Sequence, residues 1–413
     1  MNLRVSPGKY PTEKESFTAE CLQKRAKTLQ AKVQSFREPM IAMLGDLVHL
    51  ESPSKEPQAT SKCLKFLCDV LADLAFLPRV IQGAASAEDP LAGKAGHLLA
   101  LPRQRKRKPI QLLLGHVDTV WPTGTLAHMP FLRNKEKICG PGVFDMKGGI
   151  IQMVFALKAI QELGWEMALA PVLFLNTDEE IGSRTSRPII EKLAKRSERV
   201  MVLEPALGLD GQLKTRRKGG ASFEALVLGK AAHAGLNPQA GASAILGLSF
   251  LVQNLFALNN FERGISVNVG MVEGGVQPNM IAPESRAVID VRVLNSADGA
   301  EVEAAIMALK PQTSGVEYRI RKRGSRPPME ATPANQAFWK HAQLLGQALG
   351  LELEQGTAGG GSDGCTTSLY TATLDGLGPV GDGAHAVHEH LLIEPWLQRT
   401  ALLAMLLTSP SLS

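Results

Sequence analysis

Three short runs of apolar residues restrict this chain to few architectures. They are IQLLL at 110–114, APVLFL at 170–175 and VMVL at 200–203, and polar residues hardly interrupt them. Strands buried on both faces have this composition, because helices cover a parallel sheet on either side. Residues 148–164, between the first two runs, have the apolar spacing of such a helix. The order predicts an α/β layer, in which helices flank a mixed, largely parallel sheet.

Residues 215–328 follow a different pattern. Their strand-like segments alternate polar and apolar residues, as half-exposed strands do. The predicted elements are a strand at 222–229, a helix at 241–258, strands at 265–272 and 285–293, a helix at 298–309 and a strand at 315–321. This βαββαβ order is typical of a split βαβ sandwich with one open sheet face. We therefore predict that residues 1–214 and 329–413 form one α/β domain, into which residues 215–328 are inserted as an α+β domain.

The length of the chain also favours two domains, because 413 residues exceed one compact core of usual size. With 44% hydrophobic and 21% charged residues, the composition is that of a globular protein. Outside the segments above, the spacing of apolar residues predicts three more helices, at 17–50, 60–76 and 334–349. A polar loop at 51–60 separates the first two.

Charge and cysteine content exclude several classes of protein. The net charge is +5, and the dense basic run RQRKRK at 103–108 has no interleaved aromatic residues, so we expect a solvated loop and no nucleic-acid partner. Five cysteines without a CxxC pair argue against a disulfide framework and favour a reducing compartment. The chain has no amino-terminal apolar signal and no apolar run near the ~20 residues that span a bilayer. We expect a cytoplasmic protein without a membrane partner, and we assign no role to Cys139 or Cys365.

Histidine or acidic side chains follow each of the three apolar runs. His116 and Asp118 come directly after the first, three acids stand in NTDEEIGS after the second, and Glu204 ends the third. Parallel strands place ligands at their carboxyl ends, so these side chains should converge on one edge of the sheet. A single His there is a weak signal, since a buried His with satisfied hydrogen bonds is the alternative. Three adjacent acids are costly unless they are paired or bound to metal, and they can divide metal binding from proton transfer.

Two further motifs supply candidate ligands. Asp145 stands in GPGVFDMKGG at 140–149, whose glycines let the backbone approach a ligand closely, although a helix N-cap is the alternative. GAHAVHEH at 383–390 holds three histidines, of which one is needed, and a solvent-exposed loop is the alternative. Two His and three carboxylates without Cys suit zinc, with cobalt or manganese as substitutes. Two zinc ions ~3.5–4 Å apart and bridged by a carboxylate are a known hydrolytic device.

The motifs as a set resemble those of a known family. From about residue 110 to residue 392 the chain contains GHVDTV, GPGVFDMKGG, NTDEEIGS, LEPA, GKAAHAG and GAHAVHEH, in this order. They are similar to motifs of the zinc-dependent aminoacylase, acetylornithine deacetylase and glutamate carboxypeptidase family of co-catalytic zinc metallopeptidases. The residues of the first and third motifs, GHVDTV and NTDEEIGS, are most similar to those of the glutamate carboxypeptidase branch. The resemblance implies a zinc-dependent metallopeptidase or amidohydrolase with two Zn²⁺ per subunit.

The resemblance also implies a role for each residue of the cluster. It implies five ligands around two zinc ions, namely His116, Glu180, Glu204 and His385 as terminal ligands and Asp145 as the bridge. Asp118 would orient His116. Glu179 would be the general base, which takes a proton from the bridging water and passes it to the leaving nitrogen. His385 is preferred to the other two histidines of its motif because the family pattern has a Gly-rich turn before the His and an acid four residues after it, here Glu389.

Residues of the predicted inserted domain would bind the substrate. The resemblance implies that His233 of GKAAHAG reaches the active site of a partner subunit and holds the developing oxyanion. Asn279 and Arg292 would bind the substrate carboxylate, and Gly360 and Gly361 of the GGGSD loop would contact substrate through their backbone. The alternatives are an ordinary exposed cation for Arg292 and a turn residue for Asn279. These roles imply that residues 1–214 and 329–413 form the catalytic domain and that the inserted α+β domain at 215–328 is a dimerisation or lid domain, through which a homodimer forms.

The identity of Glu204 bears on the substrate. Relatives with Glu at this position tend to be carboxypeptidases and deacylases, whereas aminopeptidase relatives carry Asp. The expected activity is therefore cleavage of an amide or peptide bond next to an amino acid with a free carboxylate, as in glutamate carboxypeptidases. The alternative is an N-acyl amino acid deacylase similar to acetylornithine deacetylase or succinyl-diaminopimelate desuccinylase. A non-catalytic binding protein on the same scaffold is a remote alternative, because all five ligand positions are present.

Overall fold

The computed structural model describes residues 19–85, 90–104 and 108–412. The amino-terminal stretch that lacks an apolar signal, including the first two residues of the helix predicted at 17–50, lies outside the described residues, as do three residues of the basic run at 103–108. The chain divides into two compact units. The first comprises Met1–Lys214, Thr332–Gly356 and Tyr370–Ser413, and the second comprises Thr215–Ala331 and Thr357–Leu369.

The described residues form helices and strands throughout both units. The helices are α1 Ala19–Gln34, α2 Arg37–His49, α3 Pro57–Asp73, α4 Gly148–Glu162, α5 Arg187–Ala194, α6 Ala244–Phe256, α7 Ser296–Ala308, α8 Pro333–Ala348, α9 Asp363–Thr367 and α10 Ile393–Thr408. The strands are β1 Phe76–Ile81, β2 His97–Pro102, β3 Ile110–His116, β4 Leu132–Arg133, β5 Lys137–Cys139, β6 Ala170–Asn176, β7 Ser197–Val202, β8 Leu213–Arg217, β9 Gly219–Leu228, β10 Ser266–Gly274, β11 Glu284–Val293, β12 Glu317–Arg326, β13 Gln355–Ala358, β14 Ala372–Leu374, β15 Gly381–Asp382 and β16 His390–Leu392. In this part of the chain, no helix has both the length and the apolar character needed to cross a membrane.

Six strands of the first unit form one mixed sheet, in the order β1-β2-β6-β3-β7-β14. β3 runs parallel to β6 and β7, and β14 runs parallel to β7, whereas β2 and β1 continue the sheet in antiparallel fashion. The three apolar runs are β3, β6 and β7, so the predicted mixed, largely parallel sheet is confirmed. His116 pairs with Asn176 and Leu114 pairs with Val202, which places the carboxyl ends of these strands side by side.

Helices cover both faces of this sheet. The larger apolar cluster includes buried residues of α1, α2, α4, α8 and α10, and a smaller cluster on β3, β6 and β7 includes Ile190 of α5. The approach of α4 depends on Gly149, because a Cβ there would lie 2.1 Å from the carbonyl oxygen of Leu203. Any larger residue would push the start of α4 away from the segment that leads to Glu204.

The second unit contains a four-stranded antiparallel sheet, in the order β10-β11-β9-β12. Buried residues recur at every second position along most of β9 and β11, so one face of the sheet is covered. α6 and α7 pack on this face, in a cluster that includes Phe223, Leu251, Ile289 and Ile306. The elements from β9 to β12 follow one another as strand, helix, strand, strand, helix and strand.

Several elements differ from the sequence-based expectation. The single helix predicted at 17–50 is wrong, because α1 and α2 are separate and the chain turns at Phe36, whose ring lies 5.3 Å from that of Phe155 on α4. α3 begins at Pro57, a residue that suits the first turn of a helix. β1 and β2 were not predicted. β1 contains Pro78, which a strand tolerates at a sheet edge such as this one.

Candidate metal centre

The strand ends of the first unit bring the candidate ligands together. His116 ends β3, the acidic turn follows β6, and Glu204 comes two residues after the end of β7. His116, Glu179 and Glu204 offer ligand atoms that all lie within 4.8 Å of one another. The same is true of His116, Asp145 and Glu180. The convergence expected from the parallel strands is therefore present in the structure.

Asp145 stands between two imidazoles. Its Oδ1 lies 3.2 Å from Nε2 of His116, and its Oδ2 lies 3.5 Å from Nε2 of His385. Oε1 of Glu204 is 3.5 Å from the same nitrogen of His116, and Oε2 of Glu180 is 3.1 Å from that of His385. The five side chains thus form two groups of ligands that share one carboxylate.

The spacing of these atoms fits zinc. Two ligands that are each ~2.1 Å from a tetrahedral zinc ion are about 3.4 Å apart. The four nitrogen-to-oxygen distances between the histidines and the carboxylates are 3.2, 3.5, 3.5 and 3.1 Å. In addition, Oε1 of Glu180 is a buried atom without a hydrogen-bond partner in the part of the chain that the structure describes. A cation in this group would satisfy it.

The surroundings of His116 lead to the same conclusion. Its Nδ1 lies 2.9 Å from the carbonyl oxygen of Asp118. A carbonyl oxygen only accepts hydrogen bonds, so Nδ1 carries a proton and donates it. Nε2 then faces carboxylate oxygens of Asp145 and Glu204, which also only accept. Nε2 therefore needs either a second proton on the ring or a metal ion between these atoms.

The pKa values show how strongly the cluster favours positive charge. Hydrogen bonds to Asp145 and Glu180 raise the pKa of His385 to about 10. Burial alone would lower the pKa of His116, but its carboxylate neighbours raise it well above the ordinary value. Burial raises the pKa of Glu180 to about 7, against the lowering effect of His385. Without metal, protons on the two imidazoles would offset part of the carboxylate charge, and a divalent cation would take over this role.

Asp118 is a buried acceptor rather than a ligand. Its carboxylate accepts hydrogen bonds from Ser54 Oγ at 2.7 Å and from the backbone N–H groups of Glu179 and Glu180 at 3.3 and 3.2 Å. One residue therefore fixes both the ring of His116 and the backbone of the acidic turn. Sequence analysis missed Ser54, because nothing in the loop at 51–60 distinguishes one serine from another.

The first acid of the turn is also not a ligand. Oδ2 of Asp178 accepts from the N–H and the hydroxyl of Thr185, at 2.7 and 2.8 Å, and its Oδ1 accepts from the hydroxyl of Ser186 at 2.6 Å. Asp178 is fully buried and holds the loop between β6 and α5 closed. The three adjacent acids therefore have three different surroundings, as the hypothesis of divided roles requires.

Two of the predicted substrate-binding residues are neighbours within the second unit. The N–H of Ala234 donates to the carbonyl oxygen of Asn279 at 2.9 Å, and His233 forms a β-bridge with Met280. Nδ1 of His233 accepts from the N–H groups of Gly235 and Leu236, each at 3.1 Å. A neutral His233 therefore carries its proton on Nε2, and the side chain is exposed.

The other predicted residues of this unit already have partners. Arg292 on β11 makes a bidentate ion pair with Asp290, at 2.8 and 3.1 Å. The carbonyl oxygens of Gly360 and Gly361 accept from Nη1 of the buried Arg217, at 3.2 and 3.4 Å. Sequence analysis missed Arg217, because the run TRRK does not show which of its cations is buried.

The chain is similar in sequence to a known family of peptidases. The sequence profile of peptidase family M20/M25/M40 matches residues 112–409. The chain is 28% identical to carboxypeptidase G2 of Pseudomonas sp. (strain RS-16), over 88% of this chain and 87% of that protein. It is 27% identical to succinyl-diaminopimelate desuccinylase of Azoarcus sp. (strain BH72), over 86% and 93% of the two chains.

Solved structures share the fold. An aminopeptidase PepT from Bacillus cereus superimposes with a TM-score of 0.72 at 19% identity, over 90% of this chain and 98% of that one. An M20 family metallo-carboxypeptidase from Sulfolobus solfataricus superimposes with a TM-score of 0.69 at 15% identity, also over 90% and 98%. At these identities the likeness concerns the fold alone.

Proposed function

The chain belongs to peptidase family M20/M25/M40 and is a hydrolase, and from this membership and the cluster around Asp145 we propose that it is a two-zinc carboxypeptidase. It would cleave an amide or peptide bond next to an amino acid that has a free carboxylate. The observation that most supports a two-metal site is the position of Asp145, whose two carboxylate oxygens face two different imidazoles at 3.2 and 3.5 Å; the carboxypeptidase reaction is proposed from the similarity to carboxypeptidase G2.

The proposed ligands form two sets. His116 and Glu204 would hold one ion, His385 and Glu180 the other, and Asp145 would bridge them. When bound, two zinc ions lower the pKa of a shared water toward neutrality and polarise a substrate carbonyl. Cobalt and manganese suit the same nitrogen and oxygen donors.

The side chains of the protein itself would carry the proton and hold the substrate. Glu179 would accept a proton from the attacking water and donate it to the leaving nitrogen. Asp118 would keep His116 in one tautomer and orientation. The Nε2–H of His233 would donate to the developing oxyanion. Arg292 would bind the substrate carboxylate in a bidentate pair once it leaves Asp290, with Asn279 as a further donor.

A substrate panel tests the reaction. It contains peptidyl amino acids and N-acetyl and N-succinyl amino acids that share one leaving amino acid, with zinc supplied and the released products separated by chromatography. Carboxypeptidase activity predicts that the peptidyl substrates are hydrolysed fastest. The same peptides with an amidated carboxyl end are the matched control, and we expect little hydrolysis of them. Equal rates on both would contradict carboxylate recognition.

An N-acyl amino acid deacylase is the second candidate, because the chain is almost equally similar to a desuccinylase. In that case the N-succinyl or N-acetyl substrates of the panel would be hydrolysed fastest. A non-catalytic binding protein on the same scaffold is the third candidate. Two bound ions per chain, measured by elemental analysis after dialysis, would argue against it, whereas no zinc and no activation by added zinc or cobalt would support it.

A homodimer through the second unit is part of the proposal. α6 exposes Ile245, Leu246 and Phe256, and the edge strand β10 exposes Met271 and Val272. Together, an apolar helix face and an unpaired strand edge suit a two-fold contact between identical chains. Sedimentation tests this, since a fully active monomer would contradict the role of His233. The five cysteines, all within the described residues, form no disulfide, and the cytoplasm is the proposed compartment.

A further inference from the structure

Glu389 is a buried carboxylate that is saturated with N–H donors. Its Oε1 accepts from the backbone N–H groups of Phe144 and Asp145, each at 3.0 Å. Its Oε2 accepts from the N–H of Gly142 and from the indole Nε1–H of Trp121, each at 2.9 Å. A carboxylate offers about four lone-pair positions, so Glu389 has none left for a metal ion.

The segment held by this carboxylate is the one that carries Asp145. α4 begins at Gly148 and a short π-helical turn, Val143–Lys147, leads into it, so the N–H groups of Gly142, Phe144 and Asp145 lie before or in the first turn, where a helix provides no acceptor. Glu389 supplies acceptors for all three. Hydrogen bonds to an ionised acceptor are roughly twice as strong as neutral ones. Three of them from four consecutive residues therefore fix the backbone on which the shared ligand stands.

The main chain of Glu389 closes the turn that carries His385. Its N–H donates to the carbonyl oxygen of Ala386 at 2.9 Å, and the N–H of Ala386 donates to that of Gly383 at 2.8 Å. His385 has a φ of 61°, in the left-handed region that costs energy for a residue other than glycine. The conformation that presents His385 therefore depends on the bonds that surround it.

From these contacts we propose that Glu389 is a positioning residue that sets the separation between Asp145 and His385. It thereby determines the affinity of the metal site that these two residues form with Glu180. The inference rests on the proposed two-zinc function. The proposed role of Glu389 also affects the two metal sites unequally. His116 and Glu204 follow buried strands, whereas both Asp145 and His385 lie on segments that Glu389 holds. Loss of Glu389 weakens the site of His385 more than the site of His116.

Glu389→Gln tests this role at constant side-chain size. Each oxygen of Glu389 accepts two N–H groups. In the glutamine variant one of these oxygens becomes an NH₂ group, which cannot accept, so two hydrogen bonds are lost in either orientation of the side-chain amide. Metal-free protein is titrated with Zn²⁺ and with Co²⁺ against a chromophoric chelator. Wild type should bind two ions. The variant should bind one ion with little change and the second 10- to 100-fold more weakly, as is usual when a partner of a metal ligand is lost.

One further measurement and one control variant separate a positioning role from general damage to the fold. Amide hydrogen exchange of residues 142–145 in the metal-free protein should accelerate in Glu389→Gln. Glu51→Gln is the matched control, because Glu51 likewise accepts two backbone N–H groups, from Gly124 and Leu126, in a loop without a ligand. It should leave both the second ion and exchange at 142–145 unchanged.

The outcomes are distinct. If Glu389→Gln loses cooperative unfolding, Trp121→Phe replaces it, since it removes one of the four donors and should weaken the same second ion by a smaller factor. A folded Glu389→Gln that binds both ions as wild type does, or that weakens both equally, overturns the proposal, as does an unchanged second ion in Trp121→Phe. A wild-type chain that binds no ion refutes the proposed function itself.

Discussion

The substitution Glu179→Gln should abolish chemistry while it leaves the fold and the metals in place. The carboxylate of Glu179 lies within 4.8 Å of ligand atoms of His116 and Glu204, and its backbone N–H donates to Asp118. Glutamine has the same size and keeps the backbone contact. It cannot accept a proton at neutral pH, so only proton transfer is lost.

The magnitude follows from the two tasks of this side chain. A positioned acid or base contributes typically ~10²–10⁴-fold to a rate. In the proposed reaction Glu179 acts twice, first as base and then as acid, which places the expected loss of kcat at about 10³–10⁴-fold. Since each factor of ten corresponds to ~1.36 kcal/mol, the barrier rises by about 4–5 kcal/mol. Single-turnover rates on the best substrate of the panel measure this, with elemental analysis of the same sample.

The neighbouring acid provides the matched control. Asp178→Asn makes the same chemical change one residue earlier, where the carboxylate accepts hydrogen bonds from Thr185 and Ser186 and is fully buried. The variant loses the negative charge of the acceptor in these three hydrogen bonds. At about 1 kcal/mol for each bond, the free energy of unfolding should fall by about 2–4 kcal/mol. Denaturant unfolding measures it, and kcat should change little under conditions where the variant is folded.

Exchanged or identical phenotypes of the two variants would contradict the roles proposed for Glu179 and Asp178. Near-wild-type turnover of Glu179→Gln with both metals present would show that another group moves the proton. Loss of metal from Glu179→Gln would make Glu179 a ligand and would leave Glu180 as the candidate base. A stable Asp178→Asn with low kcat would place Asp178 in the reaction.

Three other predictions concern stability. Gly149→Ala forces a Cβ against the carbonyl oxygen of Leu203 and should cost about 1–3 kcal/mol of unfolding free energy, whereas Gly324→Ala, where a Cβ meets no atom within 4 Å, is the neutral control. Burial and the charge of Arg199 lower the pKa of His341 to about 4 from 6.5. Folding therefore favours its neutral form, and stability falls as pH drops from 6.5 toward 4; His341→Gln should flatten this part of the pH–stability profile. Removal of metal with a chelator should lower the denaturation temperature, since the carboxylates around Asp145 lose their counter-charge, and added zinc should restore it.

The central fold was predictable because its signals are local. A strand buried on both faces needs consecutive apolar residues, and the motifs after β3, β6 and β7 lie where parallel strands end. The break between α1 and α2 was not predictable. The helical spacing continues through Phe36, and the chain turns there because Phe36 packs on Phe155, more than a hundred residues later. β1, at the sheet edge, contains Pro78 and Arg79 and has no long apolar run, whereas β2 contains the apolar run LLAL at 98–101, which was not assigned to a strand.

The residues of the candidate site also fall into a group that the sequence predicts and a group that it does not. Ligand residues have characteristic types and neighbours, so His116, Asp145 and His385 could be proposed from motifs. Their supporting residues could not be found in this way. Ser54 and Arg217 act through contacts with distant segments, and each belongs to a residue type that is common in loops or on surfaces. Only the folded chain shows that Arg217 is buried against the carbonyl oxygens of the GGGSD loop.

The carboxylates of the first unit divide by what surrounds them. Asp118, Asp178 and Glu389 each accept at least three hydrogen bonds from N–H or O–H donors of the chain. Asp145 and Glu180 instead face imidazole nitrogens. A carboxylate whose lone pairs are taken by fixed donors cannot also bind an ion, so residue type and burial do not identify the ligands of this cluster. In the proposed site the number of donors that the chain already provides to each oxygen separates the two groups: acids with three or more fixed donors would hold the backbone, and acids without them would bind metal.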